Sequence, residues 1–146
     1  MTISFSVDGH PEPAGSKRAF VVKGRAVVTD SNRKQKPWQA LVSSAAQEAK
    51  PDGDLLDGPI WLTLRFRVNR PKGHFTSKGT LSASGQRNPW PVVRPDVLKL
   101  ARGVEDALTA VIWRDDSQIV VEHLTKVYTT GPEGVDVRIE PAGVTI

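Results

Sequence analysis

The sequence predicts an α+β fold in a single domain spanning 1–146: a mixed or antiparallel β-sheet packed with two main α-helices, in the order β-ββ-α-β-α-ββ. Three observations predict it. Two segments repeat apolar residues at helical spacing, several others alternate them with period two, and glycine and proline cluster between these segments. A chain of 146 residues suits one domain, large enough to bury about two thirds of its unfolded surface.

The elements follow in order. Ile3, Phe5 and Val7 alternate with polar residues up to Gly9, a first strand ending in a turn. The turn-rich stretch after it ends in the basic pair Lys17-Arg18, which reads either as a connector or as a loop offering two cations to phosphate. Residues 19–22 and 26–29 flank Lys23-Gly24-Arg25, where glycine permits a tight hairpin. Pro37 suits the start of a helix, and Trp38, Leu41, Val42, Ala45, Ala46 and Ala49 form its apolar stripe to about Lys50. Ile60, Leu62, Leu64, Phe66 and Val68 then alternate with Trp61, Thr63, Arg65 and Arg67, a strand with a core face and a face that is either solvated or turned to phosphate.

Residues 70–93 lack periodicity and are expected as a long basic loop. Arg70, Lys72, Lys78 and Arg87, interspersed with Phe75 and Trp90, suit contact with a nucleic acid by charge and stacking, unless the aromatics tuck back onto the core. After Arg94-Pro95, which favours extended backbone, Val97, Leu100, Ala101, Val104, Ala107, Leu108 and Val111 mark a second helix from about Asp96 to Ala110. The β-branched run from Ile119 gives a strand toward Tyr128. Val135, Val137 and Ile139 give the closing one.

Composition narrows the function. Apolar residues at 38% and charged residues at 25% are ordinary for a globular chain, and no apolar run approaches the ~20 residues of a bilayer span, so no membrane partner is expected. The N-terminus lacks the basic start and apolar core of a secretory signal, so a cytoplasmic location is expected. Absence of cysteine excludes disulfides and thiolate chemistry, and three isolated histidines show no zinc-ligand spacing. A net charge of +4 favours a polyanionic partner.

Acidic residues bracket the second helix: Asp96 before it, Asp115-Asp116 after it. Spacing leaves two readings open. The acids are a helix cap and a solvated turn, or the chain returns beside the helix and they converge into a hard-cation site suited to Mg²⁺, with Mn²⁺ as a substitute, and Lys99 or Arg102 beside the reacting phosphate. No small-molecule cofactor is expected.

Arg94-Pro95-Asp96, Asp106-Ala107-Leu108 and Asp115-Asp116-Ser117-Gln118-Ile119 together resemble the signature of the RusA family of Holliday junction resolvases, and the basic loop with Lys17-Arg18 resembles that family's N-terminal loop. The resemblance implies a RusA-like fold and a homodimeric, Mg²⁺-dependent endonuclease that nicks four-way junctions and related branched DNA in pairs. It implies a site of Asp96 and Asp116 with Arg102 at the position of the family's helix lysine; together with the reading of the residues, the expected catalytic residues are Asp96, Asp115, Asp116, Arg102 and Lys99, with metal held by Asp96, Asp116 and Asp115, and DNA held by Lys17, Arg18, Arg70, Lys72, Lys78, Arg87 and Arg94. One position departs from the pattern. Leu98 stands where the family carries a second aspartate, so Asp115 is expected to compensate, with Asp106 or Glu105 contributing. The alternative is a branched-DNA binding module with a degenerate metal site.

Overall fold

The computed structural model describes residues 1–15, 17–30 and 32–143, with side chains for all of these except 17–20 and 27–30. A four-stranded sheet is ordered β1 (Ile3–Asp8), β6 (Gly134–Pro141), β4 (Ile60–Asn69), β5 (Ile119–Thr129). β6 pairs antiparallel with both β1 and β4, whereas β4 and β5 are parallel. Parallel neighbours require a long crossover. Here it is the whole stretch 70–118, which carries the short helix α2 (Ala83–Arg87) and the helix α3 (Val97–Leu108).

Alternation sets the two sheet faces. Ile60, Leu62, Leu64 and Phe66 of β4 join Val135, Val137 and Ile139 of β6 and Ile3 and Val7 of β1 beneath α1 (Gln35–Ala49) and α3. The opposite face carries Ser4, Ser6, Thr63, Arg65, Asp136 and Arg138. Arg67 is tied down: it donates to Asp136 (3.2 Å), Asp8 (3.1 Å), and the carbonyls of Val7 (3.3 Å) and Pro132. Arg65 stays exposed.

In α1, Pro37 is the third residue, where its missing N–H falls among the first-turn donors that have no helical partner anyway. Trp38, Val42 and Ala46 are buried as the spacing predicts, but Leu41 is half exposed and Gln35 is buried in its place, accepting from the Gly15 amide. A separate hairpin pairs β2 (Lys17–Val22) with β3 (Arg25–Asp30), and its turn has positive φ at Lys23 (50°) and Gly24 (76°). Two such residues in succession match the twist of the flanking strands.

The segment 70–93 is more ordered than its composition predicts. A 3-10 turn at Lys72–His74, a bridge between Phe75 and Leu81, and α2, whose Ser82 hydroxyl accepts from the Gly85 amide at 3.1 Å, fold it back on itself. Gly85 has no room for a side chain, since a Cβ there would stand 2.3 Å from the His74 carbonyl oxygen.

Helix α3 stops two residues earlier than the apolar stripe predicts, because the chain turns sharply where Ala110 adopts φ 67°. Trp113 closes that turn. It is fully buried, its indole Nε1 donates to Thr109 Oγ1 at 3.1 Å, and its carbonyl accepts from the Ala110 amide. No helix among the described residues is long and apolar enough to cross a membrane.

Candidate functional site

α3 packs on the sheet with Leu100, Ala101, Val104, Ala107 and Leu108 and leaves Leu98, Lys99, Arg102 and Asp106 exposed. At about 100° per residue, Leu98, Arg102 and Glu105 fall in one row along its length. After the Trp113 turn the chain returns as β5, antiparallel to the helix. Register with β4 puts Glu122, Leu124, Lys126 and Tyr128 opposite Leu62, Leu64, Phe66 and Val68, on the helix-covered side of the sheet.

The acidic pair is held between helix and strand by Gln118. Its side-chain oxygen accepts from the amides of Arg114 (2.9 Å) and Asp115 (3.1 Å), and its nitrogen donates to the carbonyls of Leu56 (2.9 Å) and Gly58 (3.1 Å). Asp115 completes a capping box with Gln118 and accepts from the Ser117 amide at 2.8 Å. That bond, with further help from the Ser117 hydroxyl and Asp116, holds the Asp115 carboxyl below its ordinary range. Asp115 is therefore engaged as a cap, while Asp116 begins the turn and is exposed.

Carboxylates meet at the C-terminal half of α3. Glu105, half-buried, has its pKa pushed up to about 8, first by burial, then by its hydrogen bond to Glu122 and the charge of Glu122, and then by the charges of Asp116 and Asp106. Beyond burial, the groups raising it are all acids. Among the described residues no three His, Asp or Glu side chains stand close enough to enclose an ion. The cluster is thus an electrostatic demand for positive charge.

Asp96 stands apart from this cluster. It precedes α3, where its carboxylate lies 3.8 Å from Lys99 Nζ, and Glu105 is about 13 Å further along the helix at 1.5 Å per residue. Asp96, Lys99 and Arg94 line a cleft of about 700 Å³ with His10, Glu12 and Asn32. Lys126 reaches from β5 to the carbonyls of Val93 (2.5 Å) and Pro95 (2.9 Å), tying the Arg94-Pro95-Asp96 segment to the strand. On the other wall, the Ala14 amide donates to the Lys99 carbonyl at 3.0 Å, and Gly103 lets the backbone of Glu12 come close: a Cβ there would stand 3.0 Å from the Glu12 carbonyl oxygen.

Among the expected DNA contacts, Lys72, Lys78, Arg87 and Arg94 are exposed. Arg70 is turned inward. Its Nη1 lies 3.1 Å from His74 Nδ1 and donates to the carbonyls of Gly85 and Asn88 (both 3.0 Å), and its guanidinium sits 4.5 Å over the Tyr128 ring. The side chains of Lys17 and Arg18 lie outside the described residues.

Glu122 and Lys126 were not singled out in the sequence, although a signal exists. Both sit at even positions of β5 with Leu124 and Tyr128, so period two puts them on the helix side.

The raised pKa of Glu105 has a consequence for stability. The folded protein keeps a proton that the unfolded chain releases near 4.5, so stability is fully present below about 4.5 and is lost as pH rises through about 8. Glu105→Gln should flatten that slope, raising stability at about pH 9 by on the order of 1–2 kcal/mol once solvent screening of a half-exposed group is allowed for. Thermal unfolding of both proteins between about pH 5 and 9 measures this. Parallel curves would refute the assigned repulsion.

The fold is that of an α+β domain with carboxylates along a helix and its returning strand, in a chain of net charge +4. Comparison with known proteins gives the particular family. Residues 9–140 match the family model described as endodeoxyribonuclease RusA, and the chain belongs to the RusA family. It is also similar to a Bacillus subtilis (strain 168) protein described as uncharacterized protein YqaN, 30% identical over 137 residues that make up 94% of each chain.

Proposed function

We propose that this protein is a metal-dependent, structure-selective endodeoxyribonuclease that resolves Holliday junctions or related branched DNA by paired nicks, working as a homodimer. The observation that carries the proposal is the crowding of Asp116, Glu122 and Asp106 around Glu105 in a member of a nuclease family.

No three side chains among the described residues would enclose an ion, so Asp116 and Glu105 would hold Mg²⁺, or Mn²⁺ in its place, only together with water and phosphate oxygens of the DNA. When bound, the ion supplies Lewis acidity toward a phosphodiester and lowers the pKa of water. The chain's own residues do the rest. Gln118 fixes the turn that presents Asp116, and Asp115 braces that turn as its cap. Arg102, one turn before Glu105 on the exposed side of α3, offers a guanidinium to a phosphate. Asp96 restrains Lys99 at the mouth of the 700 Å³ cleft, where Lys99 and Arg94 meet the DNA backbone.

Two observations favour the second reading, a branched-DNA binding module: Leu98 at the family's second acidic position, and the lack of three convergent ligands among the described residues. A synthetic four-way junction separates the two. The expected result is symmetric nicking in Mg²⁺ or Mn²⁺ that EDTA abolishes, from a complex whose affinity falls steeply with salt. Tight junction binding with no nicking in either metal overturns the nuclease.

A further inference from the structure

At the other end of β5 from the carboxylates, the segment 70–93 builds a groove of about 590 Å³ against the strand, lined by Phe75, Leu81, Pro89, Trp90 and Tyr128 with Arg70 among them. Phe75, Leu81, Arg70 and Tyr128 belong to a bonded frame. Phe75 and Leu81 are bridged, the Ser82 amide donates to the His74 carbonyl at 2.8 Å, and Arg70 ties Gly85 and Asn88 to the Tyr128 ring. The His74 ring meets Tyr128 edge-on at 5.5 Å. Such a frame buries aromatic residues when their role is packing alone, yet here Trp90 remains 58% exposed and Leu81 38%.

The groove's surroundings carry one sign of charge. Residues 70–93 contain Arg70, Lys72, Lys78 and Arg87 and not a single Asp or Glu, and the side chains of Lys72, Lys78 and Arg87 are exposed. An apolar peptide or a second copy of the chain would find aromatic surface here but no use for the cations. A nucleotide uses both: its base stacks on an aromatic face and its phosphate pairs with a cation. Double-stranded DNA keeps its bases in the stack, so a base enters such a groove only where pairing is already broken.

We infer that the Phe75–Trp90–Tyr128 groove is a binding site for an unpaired nucleobase, with the phosphates beside it held by the exposed cations of 70–93. Tyr128 is six residues beyond Glu122 on β5, about 20 Å at 3.3 Å per residue, so the groove engages the DNA well away from the reacting phosphate. It selects DNA that exposes a base at that distance from the carboxylates. This inference rests on the reading that the protein binds DNA, and the experiment tells the two apart.

The full-length protein is titrated, by fluorescence anisotropy at low salt, with a duplex bearing a short unpaired flap and with the same sequence fully paired. The flap carries 2-aminopurine, whose emission reports stacking. Trp90→Ala should weaken flap binding by about tenfold and abolish the 2-aminopurine quench, Trp90→Phe should restore both, and duplex binding should be unchanged in either variant. Equal losses on flap and duplex, or no loss on either, overturn the base site while leaving DNA binding in place. A Trp90→Ala protein that changes its mass in sedimentation overturns it in favour of an interface between copies. Failure of the unaltered protein to bind any of these DNAs at low salt overturns both this inference and the reading beneath it.

Discussion

Asp116→Asn lowers junction nicking in Mg²⁺ by more than about 100-fold and leaves metal-free junction binding intact. The size follows from the position. Residues that only support a metal ligand cost about 10–100-fold when replaced, and Asp116 is the member of the exposed pair whose charge acts on Glu105, whereas Asp115 is occupied as a cap. Folding should not suffer. The turn carrying Asp116 is fixed by the Gln118 side chain, which Asn leaves untouched, and loss of one carboxylate relieves the repulsion on Glu105. Asp115→Asn is the informative control: asparagine caps about as well as aspartate, so folding is little changed, and nicking falls less than in Asp116→Asn. Single-turnover cleavage with binding measured in EDTA separates chemistry from recognition. Full nicking by Asp116→Asn removes the carboxylate cluster from the mechanism.

The sheet and both long helices were legible because their signals are local. Period two in Ile60–Val68 and the apolar stripe of 97–108 report faces directly, and β1, β4, β6, α1 and α3 stand where those patterns put them. Their ends were less legible. The stripe continues to Val111, but the turn at Ala110 is imposed by burial of Trp113, a tertiary contact with no local signature. The same holds for 70–93, whose order comes from Arg70 reaching Gly85, Asn88 and Tyr128 across the fold. In the site, the acidic motif was visible but its partner was not. A motif read along the chain joins Asp96 to Asp116, whereas the return of β5 beside α3 brings Asp116 to Glu105 and Glu122 and leaves Asp96 at the opposite end of the helix. Only the parallel register of β4 and β5 tells which strand residues meet the helix.

That geometry gives Leu98 its interest. The position is 67% exposed, two turns before Glu105 in the row it shares with Arg102 on α3, so a carboxylate there would add an acid to that row without entering the core. Leu98→Asp should cost little in folding: Asp is a poorer helix former than Leu by a few tenths of a kcal/mol, but at the second helical residue its charge gains about 0.3–1 kcal/mol from the helix dipole. It also lies within a turn of Lys99 and Arg102, which offset its charge. Standing about 10 Å from Glu105 along the helix at 1.5 Å per residue, a carboxylate there acts through its negative potential alone and should lower the metal concentration for half-maximal nicking by about two- to threefold. Metal titration of junction cleavage measures this, with sedimentation on the same samples to show whether the exposed leucine also contributes to a dimer. A lowered metal requirement with unchanged mass means that the chain works with an acidic row shortened at Leu98 and carried by Glu105. An unchanged requirement means that position 98 lies outside the reach of the metal, and that the acidic demand sits at Glu105, more than two turns in from the helix N-terminus.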